Sequence, residues 1–142
     1  MPSRDTLTAL LRQLNPVLHP GTYVFATVAP DAALSVHEII ASVQEPEGRS
    51  VIVESAVARR EKLSGRFPCA WITLTVNSDL AATGLTAAFS AALDSAGISC
   101  NVVAGIHHDH IFVPHAMAQA AMGALQQLQL GASHGTTTNP LE

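Results

Sequence analysis

Apolar and polar positions alternate over residues 71–76 and then change period. Ile72, Leu74 and Val76 fall on one side of an extended chain and Trp71, Thr73 and Thr75 on the other, which predicts a strand. Leu85, Ala88, Phe89, Ala92, Leu93 and Ala96 then recur at three- and four-residue steps, one apolar stripe of a helix. Gly97 stands where a residue with positive φ closes a helix, because it has no Cβ to oppose that conformation. Residues 98–105 (ISCNVVAG) and 111–114 (IFVP) read as strands on either side of a tight turn, IHHDH. Together these elements make β-α-β-β, two-thirds of a ferredoxin-like unit, with the helix as the crossover between parallel strands and buried on one face of the sheet.

The same reading orders the rest of the chain. Leu7, Leu10, Leu11 and Leu14 share one side of a helix over residues 3–14, capped by Ser3 or Asp5 and ended by Pro16. After a turn at His19-Pro20-Gly21, Tyr23–Val28 is a strand. Residues 30–34 are a loop or a single helical turn. Ile39–Gln44 and Ser50–Glu54 are strands joined through Glu45-Pro46-Glu47-Gly48. A helix over Ser55–Leu63 ends at Ser64-Gly65. Met117, Ala121, Ala124, Leu125 and Leu128 share one side of a last helix over 116–128, and residues from Gly131 onward read as a loose tail whose closing Leu141-Glu142 has the look of an appended scar.

The strand at 71–76 closes a first β-α-β-β-α-β unit and opens a second. That second unit lacks a closing strand unless the N-terminal half supplies one. The expected organisation is an N-terminal half with a leading helix (1–66), a C-terminal half (67–130) and a tail (131–142).

Composition narrows the function. Of 142 residues, 48% are hydrophobic and 13% charged, which suits a well-filled core. A net charge of −4 with only 7 Lys and Arg leaves no basic stripe for nucleic acid. The two cysteines, Cys69 and Cys100, lack CxxC spacing and read as reduced, packed thiols. With neither a signal core nor an apolar run of spanning length, the expected location is the cytoplasm, with no membrane partner.

The segment NSDLAATGLTAAFSAALDSAGISCNVVAGIHHDHIFVP resembles the C-terminal half of short bacterial proteins built from paired ACT-like units, and LNPVLHPGTYVFATV resembles the start of the same group. The resemblance spans roughly residues 7–130 and implies an α/β, ferredoxin-like fold of two intertwined ACT-like βαββαβ halves. ACT domains are regulatory modules that bind amino acids or similar metabolites, often at subunit interfaces. The implied role is therefore a small-molecule sensor, for an amino acid, without cofactor or catalysis of its own.

The loop Asn77-Ser78-Asp79-Leu80, leading to Gly84 and Leu85, is the first candidate site. A loop running into a helix start exposes free backbone N–H groups at the positive end of the helix dipole, where a ligand carboxylate is stabilised. Asp79 offers a partner for an ammonium, and Gly84 permits close approach. The resemblance places the ligand at the corresponding loop and glycine. The plainer alternative is that Ser78 and Asp79 cap a turn and Gly84 only packs. Asn101, with Val102 on a central strand, is a second candidate, either reaching a ligand or bonding within the sheet or across a dimer seam.

His107-His108-Asp109-His110 holds metal-ligand residue types, and the alternative to a sensor is a small metal-dependent enzyme using that hairpin. A tight turn splays such side chains outward, however, and Asp109 there bonds its own backbone, so no metal is expected. Ser90 and Ser95 lack a nucleophile elbow, and Arg59-Arg60-Glu61-Lys62 reads as a solvated helix face. The second face of the strand, with Trp71, Thr73 and Thr75, has apolar surface to cover, which predicts a homodimer. A structural interaction module is the remaining alternative.

Overall fold

The structure, a computed structural model, describes residues 4–134. Its elements are α1 (Arg4–Arg12), β1 (Pro16–Leu18), β2 (Tyr23–Val28), a 3-10 turn (Val36–Glu38), β3 (Ala41–Glu45), β4 (Gly48–Glu54) and α2 (Ser55–Arg60). There follow β5 (Arg66–Leu74), α3 (Leu85–Ser95), β6 (Asn101–Ala104), β7 (Asp109–Pro114), a 3-10 turn (His115–Met117) and α4 (Ala118–His134).

One seven-stranded sheet runs β3-β4-β2-β5-β7-β6, with β1 also paired to β5. Every pairing is antiparallel. β5 belongs to both halves. Along one edge it meets β7 from Cys69 to Leu74; along the other it meets β2 near Cys69 and β1 from Ile72 to Leu74. The second half therefore reads β6-β7-β5-β1, and β1 is the closing strand that the sequence count asked the N-terminal segment to supply. β5 and β6 run parallel with β7 between them, the split crossover of a ferredoxin-like unit.

Three residues of β1 do not hold the N-terminal segment by themselves. Gln129 on α4 clamps the junction between α1 and β1: its Nε2 donates to Arg12 O at 2.8 Å and to Asn15 Oδ1 at 2.7 Å, and its Oε1 accepts from Asn15 N at 2.8 Å. Leu14 inserts fully into the core below, with Leu7, Leu10 and Leu11 packed around it.

The four helices of the described residues share one face of the sheet. Under α1, α3 and α4 lie Ile72, Leu74, Ile111 and Val113 with Leu85, Phe89, Leu93, Ala121 and Leu125. Under α2 lie Val24, Ala26, Val51 and Val53. Leu85, Phe89 and Leu93 are the buried line of the helical stripe, whereas Ala96 is exposed because α3 stops at Ser95. Gly97 (φ 74) closes α3 as its position predicts: Ile98 N–H bonds Leu93 O at 2.9 Å and Gly97 N–H bonds Asp94 O at 2.9 Å, with Ile98 packed into the core.

Among the described residues no helix covers the other face, yet Phe112 and Cys69 are fully buried there. Ala41 of β3 and Val103 of β6 line one cavity of about 50 Å³ with Trp71, His110 and Phe112, so the sheet curls until its two edges approach. The surface around Trp71 and Thr73 is thus largely covered within the chain. That removes the main sequence argument for a dimer.

Several boundaries differ from the sequence reading. β5 starts at Arg66 because a bulge at Phe67 (φ 58) and Pro68 lets the strand shift register against β2 and continue, a place where a missing proline N–H does no harm. α2 ends at Arg60, with Lys62 (φ 58) and not Ser64-Gly65 making the reversal. Asp5 lies inside α1 and does not precede it, while Ser3 falls outside the described residues. α4 continues through Gly131 to His134 where a tail was expected; the remaining residues of that tail, with Leu141 and Glu142, lie outside the described residues.

Candidate ligand-binding site

β6 runs parallel to β5, so the loop after β5 and the turn after β6 emerge at the same end of the sheet. Between them is a cavity of about 90 Å³. One wall comprises Ser78, Asp79, Leu80 and Ala82 with Leu85 and Thr86 from the first turn of α3. The opposite wall comprises Ala104, Gly105, His108 and Asp109. The structure thus brings together Ser78, Asp79, Leu80 and Leu85 of the sequence candidates. Asn77, Gly84, Asn101 and Val102 are not among the lining residues.

The helix start is uncapped. Gly84 occupies the cap position with φ 98 and makes no side-chain bond, so the amides of the first turn of α3 keep their capacity for an acceptor. Gly84 faces away from the cavity: a Cβ there would meet the Leu7 side chain of α1 at 3.2 Å. Asp79 does cap a turn, its Oδ1 accepting from Ala81 N at 3.1 Å and its carbonyl from Ala82 N at 2.9 Å. Capping engages one carboxylate oxygen of an exposed residue. Asn101 corrects one expectation: β6 is an edge strand, not a central one, and Asn101 is exposed on it.

His108 and Asp109 were read as parts of an outward-splayed turn, and this is corrected. The turn spans Gly105–His108, closed by Gly105 N–H to His108 O at 2.9 Å, and Asp109 already pairs with Leu74 and Ala104 in the sheet. Alternation along β7 then points Asp109 toward the helix side, under the start of α3, as it does Ile111 and Val113. Burial raises the Asp109 carboxyl above its ordinary value, with His110 nearby pulling it down. His108 Nδ1 is buried without a hydrogen-bond partner among the described residues. The signal that could have found both residues was topological: a parallel pair puts the turn after its second strand beside the loop after its first.

His110 points to the helix-free face and joins a polar row across β7, β5 and the segment after β1. Trp71 Nε1 donates to His110 Nδ1 at 3.1 Å, Thr73 Oγ1 lies 3.0 Å from the same nitrogen, and His19 Nε2 lies 2.7 Å from Thr73 Oγ1. His19 stacks on Trp71 with ring centroids 3.6 Å apart. Burial lowers the pKa of both imidazoles; His110 adds to this for His19, and His108 for His110, where Asp109 partly opposes it. Burial also pushes the Cys69 thiol up to about 12 and the Cys100 thiol to about 11, the behaviour of packed thiols and not of nucleophiles. Among the described residues, no three of His, Cys, Asp and Glu gather as a metal site, and no helix is long and apolar enough to cross a membrane.

Residues 3–70 match an ACT domain, residues 66–127 match a second ACT-domain description, and the two together span nearly the whole chain. The chain belongs to the ACT-domain family. A crystal structure of a Vibrio cholerae protein of unknown function, described as a possible transport protein, is 44% identical; the match covers 88% of this chain and 97% of that one, with a TM-score of 0.77. An Agrobacterium tumefaciens protein is similar in fold at 16% identity, covering 80% and 87% of the two chains, with a TM-score of 0.62. The ligand-free regulatory subunit of aspartate kinase from Thermus thermophilus is similar in fold at 13% identity, covering 80% and 95%, with a TM-score of 0.55. No curated protein matches the chain. Two ACT units in one ferredoxin-like sheet make this a ligand-binding module of regulatory type.

Proposed function

We propose that this two-unit ACT protein is an amino-acid sensor without chemistry of its own, taking its ligand in the cavity between the loop after β5 and the turn after β6. One observation carries the reading. The uncapped first turn of α3 and the carboxylates of Asp79 and Asp109 line a single cavity, so complementary groups await both charges of a zwitterion. The regulatory subunits of aspartate kinase that share this fold support a sensing role over a catalytic one. The two packed thiols fit a reducing compartment, and the cytoplasm completes the proposal. So does a homodimer, supported by the outer edges of β3 and β6, unpaired among the described residues, where Val43 and Val102 are exposed.

A thermal-shift and calorimetric screen of the common amino acids tests it. A ligand at 100 times its dissociation constant adds about 2.7 kcal/mol of stability by mass action, and Asp79→Ala should weaken that response. If no amino acid binds more tightly than millimolar, at concentrations where sedimentation shows the assembled species, the sensor reading fails and an interaction module replaces it.

A further inference from the structure

We propose that the N-terminal half carries a second binding site, on the helix-free face, for an α-amino acid with an aromatic side chain. It is separate from the cavity at the start of α3 and uses none of its residues.

A cavity of about 540 Å³ opens where the end of β2, the β3–β4 hairpin and the start of β5 converge. That volume falls within the roughly 300–1,000 Å³ of small-molecule sites. It gives a ring far more room than the cavity of about 90 Å³ beside α3. Phe25 lines it, half-buried, with the rings of Phe67 and Phe112 set edge-on at centroid distances of 5.9 Å. A ring held in this way offers a preformed apolar contact to a second ring.

Three charged side chains share the cavity: Arg66 from β5, Glu45 from the end of β3 and Glu47 from the hairpin. Arg66 reaches this face through the bulge. Tyr23 pairs with Cys69, so an unbroken ladder would set Phe67 opposite Phe25; the extra residue sets Arg66 there instead. Residues directly opposite in a ladder share a face, and the guanidinium therefore lines the same cavity as the Phe25 ring. The bulge holds Phe67, a bulky residue, at φ 58, and strain of that kind gathers at ligand clamps.

Glu45 is fixed from the other side, its Oε1 accepting from Ser50 Oγ. Among the described residues no ion pair joins Arg66 to Glu45 or Glu47, although all three line one cavity. Opposite charges kept apart in one cavity match a ligand that carries both. A carboxylate takes the planar fork of Arg66, and an ammonium takes Glu45 and Glu47. A phosphate ester is a poor occupant, since its negative charge would face two carboxylates over a single guanidinium.

Isothermal titration of the full chain compares L-phenylalanine with L-alanine, 2-phenylethylamine and 3-phenylpropionate, which lack the ring, the carboxylate and the ammonium in turn. L-Phenylalanine should bind at least about tenfold more tightly than each of them. Arg66→Gln should weaken L-phenylalanine about tenfold and leave 2-phenylethylamine, which has no carboxylate to lose, within about twofold. The double variant Glu45→Gln, Glu47→Gln should weaken L-phenylalanine likewise and spare 3-phenylpropionate. All three side chains are exposed, so these variants should fold. Unchanged L-phenylalanine affinity in folded Arg66→Gln puts the ligand elsewhere and overturns the site. Equal affinity for L-phenylalanine and L-alanine overturns the aromatic selectivity. Failure of L-phenylalanine to bind overturns the inference outright, while the cavity beside α3, tested with smaller amino acids and Asp79→Ala, stands or falls separately.

Discussion

Trp71 Nε1–H donates to His110 Nδ1 across the β5–β7 pair at 3.1 Å. An indole nitrogen only donates, so His110 must be unprotonated at Nδ1 and carries its proton on Nε2. The direction of the row follows. Thr73 donates its hydroxyl proton to the same Nδ1, and His19 Nε2–H donates to Thr73 Oγ1. Protonating His110 puts a proton where two donors converge.

This makes stability depend on pH. His19 and His110 both have lowered pKa values in the folded protein. The unfolded chain then binds more protons as pH falls through about 6.5, so stability is full above that value and declines toward the lower folded values. Asp109, raised by burial, acts in the opposite sense and only in the more acidic carboxylate range. Melting temperatures should fall between pH 7 and 5.5 more steeply for the native protein than for His110→Asn. Equal slopes would remove the row from the account.

Phe89 is fully buried between α3 and the sheet, beside Leu85 and Leu93. Phe89→Ala should cost about 3–5 kcal/mol by lost burial and the cavity left behind. A loss under about 1 kcal/mol in urea melts would contradict the packing of α3.

Gly84 links helix geometry to the N-terminal segment. Its φ of 98 is strained for any L residue, and a Cβ would press on Leu7. Gly84→Ala should destabilise by about 1–2 kcal/mol and loosen α1, read as faster amide exchange there. Since the glycine faces Leu7, the variant should leave the affinity for any amino acid found in the screen within about twofold once corrected for folded protein; a large affinity loss without destabilisation would put Gly84 in the site after all.

Lys62 reverses the chain after α2 in the left-handed region, with Leu63 N–H on Ala58 O at 2.8 Å and Lys62 N–H on Arg59 O at 3.2 Å. Glycine holds that conformation without a Cβ conflict. Lys62→Gly should stabilise the protein by about 1 kcal/mol in denaturant melts, and a destabilisation would show that the lysine side chain contributes there.

Local periodicity was enough to read α3, its Gly97 stop, the strands around it and the need for a strand from the N-terminal half, because each depends on neighbours a few residues away. The loop 77–80 was legible as a site for the same reason: a strand end followed by a helix start exposes amides wherever it occurs. Tertiary structure decided which segment became that strand. Pro16–Leu18 is too short to show a period, and it is a strand only because Gln129 and Leu14 hold it against β5. It also decided the fate of IHHDH. Composition suggests a turn, but pairing with Leu74 and Thr73 draws Asp109 and His110 into the sheet and sends them to opposite faces, Asp109 toward the cavity and His110 toward Trp71. A side chain's face is set by the register of its strand, and register is fixed by partners distant in sequence.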